Sequence, residues 1–255
     1  MSPDTLNIPP VLRLQQLRYA YPTGAEAVRN VSLDIAPGSV HCLIGRSGCG
    51  KTSVLKLAAG LLLPQHGQVV CHGQSVNGPR ADMGFVFQRP TLLEWLSVVD
   101  NVLLPISLQR TVRNSDRDQA TQLLTRMGLG AHLQHNPLAL SGGQQSRVAL
   151  ARALMGKPTM LCMDEPFAAL DAITREELQH DLLALCAQQG TSVLFVTHDM
   201  AEAVYLGDQV SVMQQGQIVH TLPIALPRPR SNALRHSAEF NALCAQLRHA
   251  MEAGL

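Results

Sequence analysis

No stretch of this 255-residue chain is apolar for long enough to cross a bilayer. The densest, VLKLAAGLLL from Val54 to Leu63, falls well short of the roughly 20 residues a spanning helix needs and carries Lys56. An excess of one charge is also missing. Lys and Arg total 20 against 19 Asp and Glu, so no broad basic field exists to gather nucleic acid or hold an anionic membrane surface. Six cysteines, Cys42, Cys49, Cys71, Cys162, Cys186 and Cys244, include no C-x-x-C pair, and several sit in apolar runs. That pattern points to buried thiols rather than disulfides or zinc. The opening MSPDTLNIPP lacks the basic segment, apolar run and cleavage site of a secretory signal, so the expectation is a cytosolic chain. Internal repeats and low-complexity tracts are absent too.

What is present suffices for a core, with 46% hydrophobic residues in a length that suits one large domain or two small ones. VLRLQQLR (11–18) and the alternation of Val31, Leu33 and Ile35 predict half-exposed antiparallel strands. SVHCLIG (39–45), MLCMD (160–164) and SVLFVT (192–197) are short continuous apolar runs, as parallel strands covered on both faces require. Residues 90–156 read as helical, with amphipathic DQATQLLTRMGL (118–129) and no convincing strand. QVSVM and QIVH predict two brief strands around a QQGQ turn. The prolines of PIALPRPRS forbid regular helix before a C-terminal helix at 238–253.

The densest chemistry lies in GRSGCGKTS (45–53). Gly45, Gly50, Lys51 and Thr52 fit G-x-x-x-x-G-K-[ST] between a buried strand and a helix, the setting of a phosphate-binding P-loop. Arg46, Ser47, Gly48, Cys49 and Ser53 complete it. Its N–H groups and the helix N-terminus would cradle phosphates, Lys51 would reach the β- and γ-phosphates of ATP, and Thr52 would offer Mg²⁺ an oxygen. Cys49, beside Lys51 at that helix start, is expected to have a lowered pKa, so that alkylation would block nucleotide binding. MLCMDEP ends a buried strand on Asp164, placed for Mg²⁺, and Glu165, placed to polarise a water.

LSGGQQSRVALARAL (140–154) then resembles the signature of ABC-type ATPases, over about Leu12 to Ile218. The resemblance implies an α/β fold: a P-loop ATPase domain (8–222) with a RecA-like parallel sheet core, an N-terminal antiparallel β subdomain, an inserted helical subdomain (about 90–156), and a C-terminal extension (223–255). It also implies roles. Tyr21 would stack on adenine, with Tyr19 a competing candidate. Gln88 would touch Mg²⁺ or the attacking water and hinge the helical subdomain, Asp171 would mark the D-loop, and His198 would contact the γ-phosphate. Two copies would stack head to tail around ATP, so Ser141, Gly142, Gly143 and Gln144 would serve the partner's nucleotide.

FVFQRPTLLEWLSVVDNVLLPI, MDEPFAALDAITREELQ and LFVTHDMAEAVYLGDQVSVM are similar to ATPase subunits of bacterial importers for nitrate, sulfonates such as taurine, and thiamine precursors. That resemblance implies a separate membrane permease, an extracytoplasmic solute-binding protein acting through it, no nucleic acid partner, and a peripheral position on the cytoplasmic face of the cell membrane. Leu92 to Val102 would line the groove that receives the permease, with Trp95 either an anchor there or a core residue. Glu94 stands where relatives usually carry Pro, and Arg46 replaces a common P-loop proline; neither removes a catalytic group. A cytosolic-assembly ATPase, an export or lipoprotein-release subunit and a P-loop kinase remain alternatives.

Overall fold

The computed structural model describes residues 9–22 and 24–253. Most of the segment read above for a secretory signal, and the expected domain start at residue 8, lie outside the described residues. Two sheets organise the chain. The first is antiparallel and contains β1 (Leu12–Ala20), β2 (Glu26–Ile35), β4 (His66–Cys71) and β5 (Gln74–Ser75) in the order β2-β1-β4-β5. The second contains β3 (Val40–Ile44), β6 (Met83–Val86), β7 (Met160–Asp164), β8 (Ser192–Thr197), β9 (Gln209–Gln214) and β10 (Gln217–Pro223) in the order β10-β9-β3-β8-β7-β6. It is parallel from β9 to β6, and β10 joins as an antiparallel edge.

The continuous apolar runs follow from burial of this second sheet on both faces. Leu43, Met160, Cys162, Leu194 and Val196 pack with α1 (Lys51–Ala58) and the antiparallel sheet. Their strand neighbours Cys42, Ile44, Leu161, Met163, Val193 and Phe195 face the opposite core, with α5 (Ala172–Gln189) and α6 (Met200–Leu206). α1 therefore lies between the two sheets, and the turn that starts it is pinned from both sides.

Between β6 and β7 the regular elements are helical: α2 (Val98–Ser107), α3 (Asn114–Arg126) and α4 (Gly142–Met155). The helix expected at 118–129 starts and stops earlier than its apolar pattern. Asp116 accepts from the Arg113 N–H at 2.8 Å and pairs with Arg110, which begins the helix at Asn114. Gly128, at φ +72°, ends it, with Leu129 N–H donating to Leu124 O and Gly128 N–H to Thr125 O. Strands β4, β5 and β6 were absent from the sequence expectation, because HGQVVC and MGFV are too short to show a period. After β10 the chain returns through the proline segment to α7 (Ala238–Glu252), whose Phe240 and Leu247 are buried.

Candidate nucleotide site

The carboxyl ends of β3, β8 and β7 are adjacent, with Ile44 opposite Thr197 and Val196 opposite Asp164. Sheet order thus brings three distant sequence segments to one rim, where open α/β sheets place their ligands. The Gly45–Gly50 turn leaves β3 there. A side chain at Gly45 would collide with the Met213 carbonyl, and one at Gly50, whose φ is +105°, with the Ala27 carbonyl. Only glycine tolerates that approach. The Lys51 ammonium is buried and donates to the carbonyls of Gly45 at 2.7 Å and Arg46 at 3.1 Å. Thr52 Oγ1 donates to Asp164 Oδ1 at 2.9 Å. Ser53 Oγ lies 3.1 Å from the Tyr21 hydroxyl, and Tyr19 meets Tyr21 edge-on with ring centroids 5.1 Å apart. Both candidate adenine-stacking aromatics therefore stand at the start of α1.

Glu165 follows β7 with φ +43°, a left-handed conformation that costs a non-glycine residue about 1 kcal/mol or more, and its N–H donates to Val196 O at 2.9 Å. Its Oε2 meets His198 Nδ1 at 2.8 Å, and its Oε1 is 4.0 Å from Lys51 Nζ. Lys51, Thr52, Asp164, Glu165 and His198 thus form one connected cluster. Burial raises the Asp164 pKa; the bond from Thr52 opposes this, and neighbouring Glu165 adds to the rise. Two hard oxygens 2.9 Å apart, one on a carboxylate, suit a magnesium ion. Cys49 departs from expectation. Burial raises its pKa and outweighs the opposing effect of Lys51, so the thiol is less reactive than its place beside a lysine suggested.

The signature lies elsewhere. Ser141 caps α4: its hydroxyl accepts from Gln144 N–H, and Gln144 Oε1 accepts from Ser141 N–H at 2.9 Å. A side chain at Gly143 would press on Thr174. Asp171 caps α5 by accepting from Thr174 N–H at 3.0 Å. Signature and D-loop together line a cleft of about 430 Å³ that includes Ser141 to Gln144 and Ala169 to Asp171, but no P-loop residue. One chain therefore carries two separate candidate phosphate sites.

Residues 28–168 match the family described as ABC transporter. The chain belongs to the ABC transporter family. It is an ATP-binding, ATP-hydrolysing cassette. It is 45% identical over 218 residues to the aliphatic sulfonates import ATP-binding protein SsuB 1 of Xanthomonas axonopodis pv. citri (strain 306), covering 84% of this chain and 86% of that one. Another relative, SsuB 3 of Pseudomonas syringae pv. tomato (strain ATCC BAA-871 / DC3000), is 42% identical over 91% of this chain and 83% of its own. Among solved structures, the dimeric post-hydrolysis state of the ATP-binding cassette MJ0796 bound to ADP and Pi superposes with a TM-score of 0.76 at 30% identity. That match covers 85% of this chain and all of the other.

In this cassette Gln88 is exposed just beyond β6, at the entry to the helical region. Arg152 of α4 donates to the carbonyls of Pro90 at 2.8 Å and Thr91 at 2.9 Å, which ties the signature helix to the segment after Gln88. Trp95 is 78% exposed, which rules out the core reading. Two contributors escaped sequence reasoning. Arg175 donates both to Leu170 O at 2.9 Å and to Asp199 Oδ2 at 3.3 Å, joining the D-loop to the turn that carries His198. Thr197 Oγ1 accepts the Asp199 N–H at 3.0 Å and shapes that turn. The HDMAE run after β8 was the available signal.

Proposed function

We propose that this chain is the ATPase subunit of an importer for a small solute of the nitrate, sulfonate, taurine or thiamine-precursor type. An aliphatic sulfonate is the first candidate, in keeping with the named relatives. Two copies bind ATP head to tail on the cytoplasmic face of the cell membrane, each docked on a separate permease that receives solute from an extracytoplasmic binding protein. The division into an ATPase domain (8–222) and an extension (223–255) belongs to the same reading. Its main support is the Lys51, Thr52, Asp164, Glu165 and His198 cluster, together with a signature cleft that no P-loop residue lines.

In this reading the Gly45 to Ser53 loop wraps the phosphates, Lys51 neutralises their charge, and Tyr21 stacks on adenine. Thr52 and Asp164, joined by Gln88, would hold Mg²⁺, which supplies positive charge to the phosphate oxygens. Glu165 accepts the proton of the attacking water. His198 fixes the Glu165 carboxylate at 2.8 Å and would contact the γ-phosphate. Ser141 and Gly143 of the second copy offer hydroxyl and backbone donors from the α4 N-terminus.

Glu165→Gln keeps the size of the side chain and loses the base. The variant should bind ATP, elute as a dimer on gel filtration with ATP, and release no phosphate above background. A monomer under those conditions, or normal phosphate release, would remove Glu165 from this role.

A further inference from the structure

We propose that Arg235, in the C-terminal segment, is a positioning residue for the turn that carries His198, so that this segment governs the rate of ATP hydrolysis without touching nucleotide. This deepens the ATPase reading and rests on it. The turn leaves β8 at Thr197. Asp199 N–H donates to Thr197 Oγ1 at 3.0 Å. Glu202 N–H donates to Asp199 Oδ1 at 3.1 Å, closing the turn onto the first residues of α6. Glu202 is only 5% exposed, so its carboxylate depends on protein donors.

Such a donor is Gln179 on α5, whose Nε2 lies 2.9 Å from Glu202 Oε1. Gln179 is 1% exposed. A buried amide can present either its N–H₂ or its oxygen to the carboxylate, and only the first is favourable. What selects it is Arg235: its Nη2 donates to Gln179 Oε1, which leaves the amide one orientation. The guanidinium itself lies 3.7 Å over the Tyr205 ring, and its side chain is 12% exposed. Side-chain bonds therefore run from Arg235 through Gln179 to Glu202, whose backbone N–H holds the carboxylate of Asp199, the residue after His198. Arg175 extends the same network to the D-loop through Asp199 and the Leu170 carbonyl. No P-loop residue takes part in this chain of bonds, so its loss should slow turnover and leave ATP affinity alone.

If Arg235 only docked the C-terminal segment, through Tyr205 and through Glu176 at 3.9 Å, replacing it would lower stability and the active fraction and nothing more. Arg235→Met separates the two, because the thioether stem can still pack on Tyr205 while the N–H groups are gone. In the purified full-length chain we expect kcat for ATP to fall by about fivefold to tenfold, as loss of one charge-assisted bond transmitted to the site would give. KM for ATP should stay within about twofold, Arg235→Lys should recover most of the rate, and Arg235→Met with Gln179→Ala should be no slower than the worse single variant. Arg235→Gln gives the same reading should the methionine variant not fold. An unchanged kcat, losses that multiply in the double variant, or a loss accounted for by the folded fraction overturns the role of Arg235. Absence of ATP turnover in the unaltered chain overturns both this role and the ATPase reading.

Discussion

His41 shows how far burial shapes single residues outside the nucleotide rim. It lies on β3 at 3% exposure, with Nε2 at 2.9 Å from Ser211 Oγ, which meets Thr221 Oγ1 at 2.8 Å. Burial lowers its pKa to about 4 from 6.5, against a smaller opposing bond with the Asp34 backbone. A histidine with a depressed folded pKa adds stability that is full above its unfolded value and disappears as pH falls through the folded one. The window runs from about 6.5 down to about 4, and the shift corresponds to roughly 3 kcal/mol. Urea melts from pH 7.5 to 4.5 should show the parent chain losing more stability than His41→Gln, which keeps a partner for Ser211. Parallel pH curves for the two would assign the loss to other groups. Burial governs Cys49 in the same way: loss of water raises its pKa by more than Lys51 lowers it, a balance that adjacency in sequence cannot reveal.

Among elements, the loop before α2 depends on a buried amide. Asn101 is fully buried; its Oδ1 accepts from Leu93 N–H at 2.8 Å, and its Nδ2 donates to the carbonyls of Leu93 and Ser97, both at 3.0 Å. These bonds fold residues 93–97 back onto the first turn of α2 and set Trp95 on the surface. Asn101→Leu would leave those backbone groups without partners in an apolar setting, a cost of about 3 kcal/mol. Chemical denaturation should register that loss, and limited proteolysis should cut the 93–97 loop faster. A variant as stable and as protected as the parent would show that water replaces the amide. The helical region is otherwise held by its own cap chemistry, as the Asp116 start and Gly128 stop of α3 illustrate.

At the scale of the molecule, the segment that leads to the exposed Trp95 is tied to the signature through α4, which begins at Ser141 and holds the Pro90 and Thr91 carbonyls through Arg152. A large apolar side chain at 78% exposure contributes little to folding, so its proposed use is as a permease anchor. Trp95→Ala should keep its melting temperature and its ATPase rate within about twofold, while recovery of a polytopic membrane protein after gentle detergent extraction falls. Equal recovery by both chains would exclude Trp95 from the anchor.

The sequence by itself determined what short-range chemistry dictates. Gly45, Gly50, Lys51 and Thr52 announce a P-loop because that residue order lets backbone N–H groups converge on phosphate and sets a lysine and a hydroxyl beside it. The unbroken apolar runs announce a parallel sheet because both faces must be dry. The LSGGQ motif, read with the flanking segments, was enough to place the chain in its family. Tertiary structure decided whatever depends on partners far away in the chain. It placed the brief strands β4 to β6, whose pairing comes from neighbours and not from their own pattern. It set the direction of the Cys49 pKa and brought Trp95 to the surface. It also joined Arg235 to the turn at His198 across Gln179 and Glu202. Burial and bond partners are properties of packed neighbours, and no local spacing encodes them.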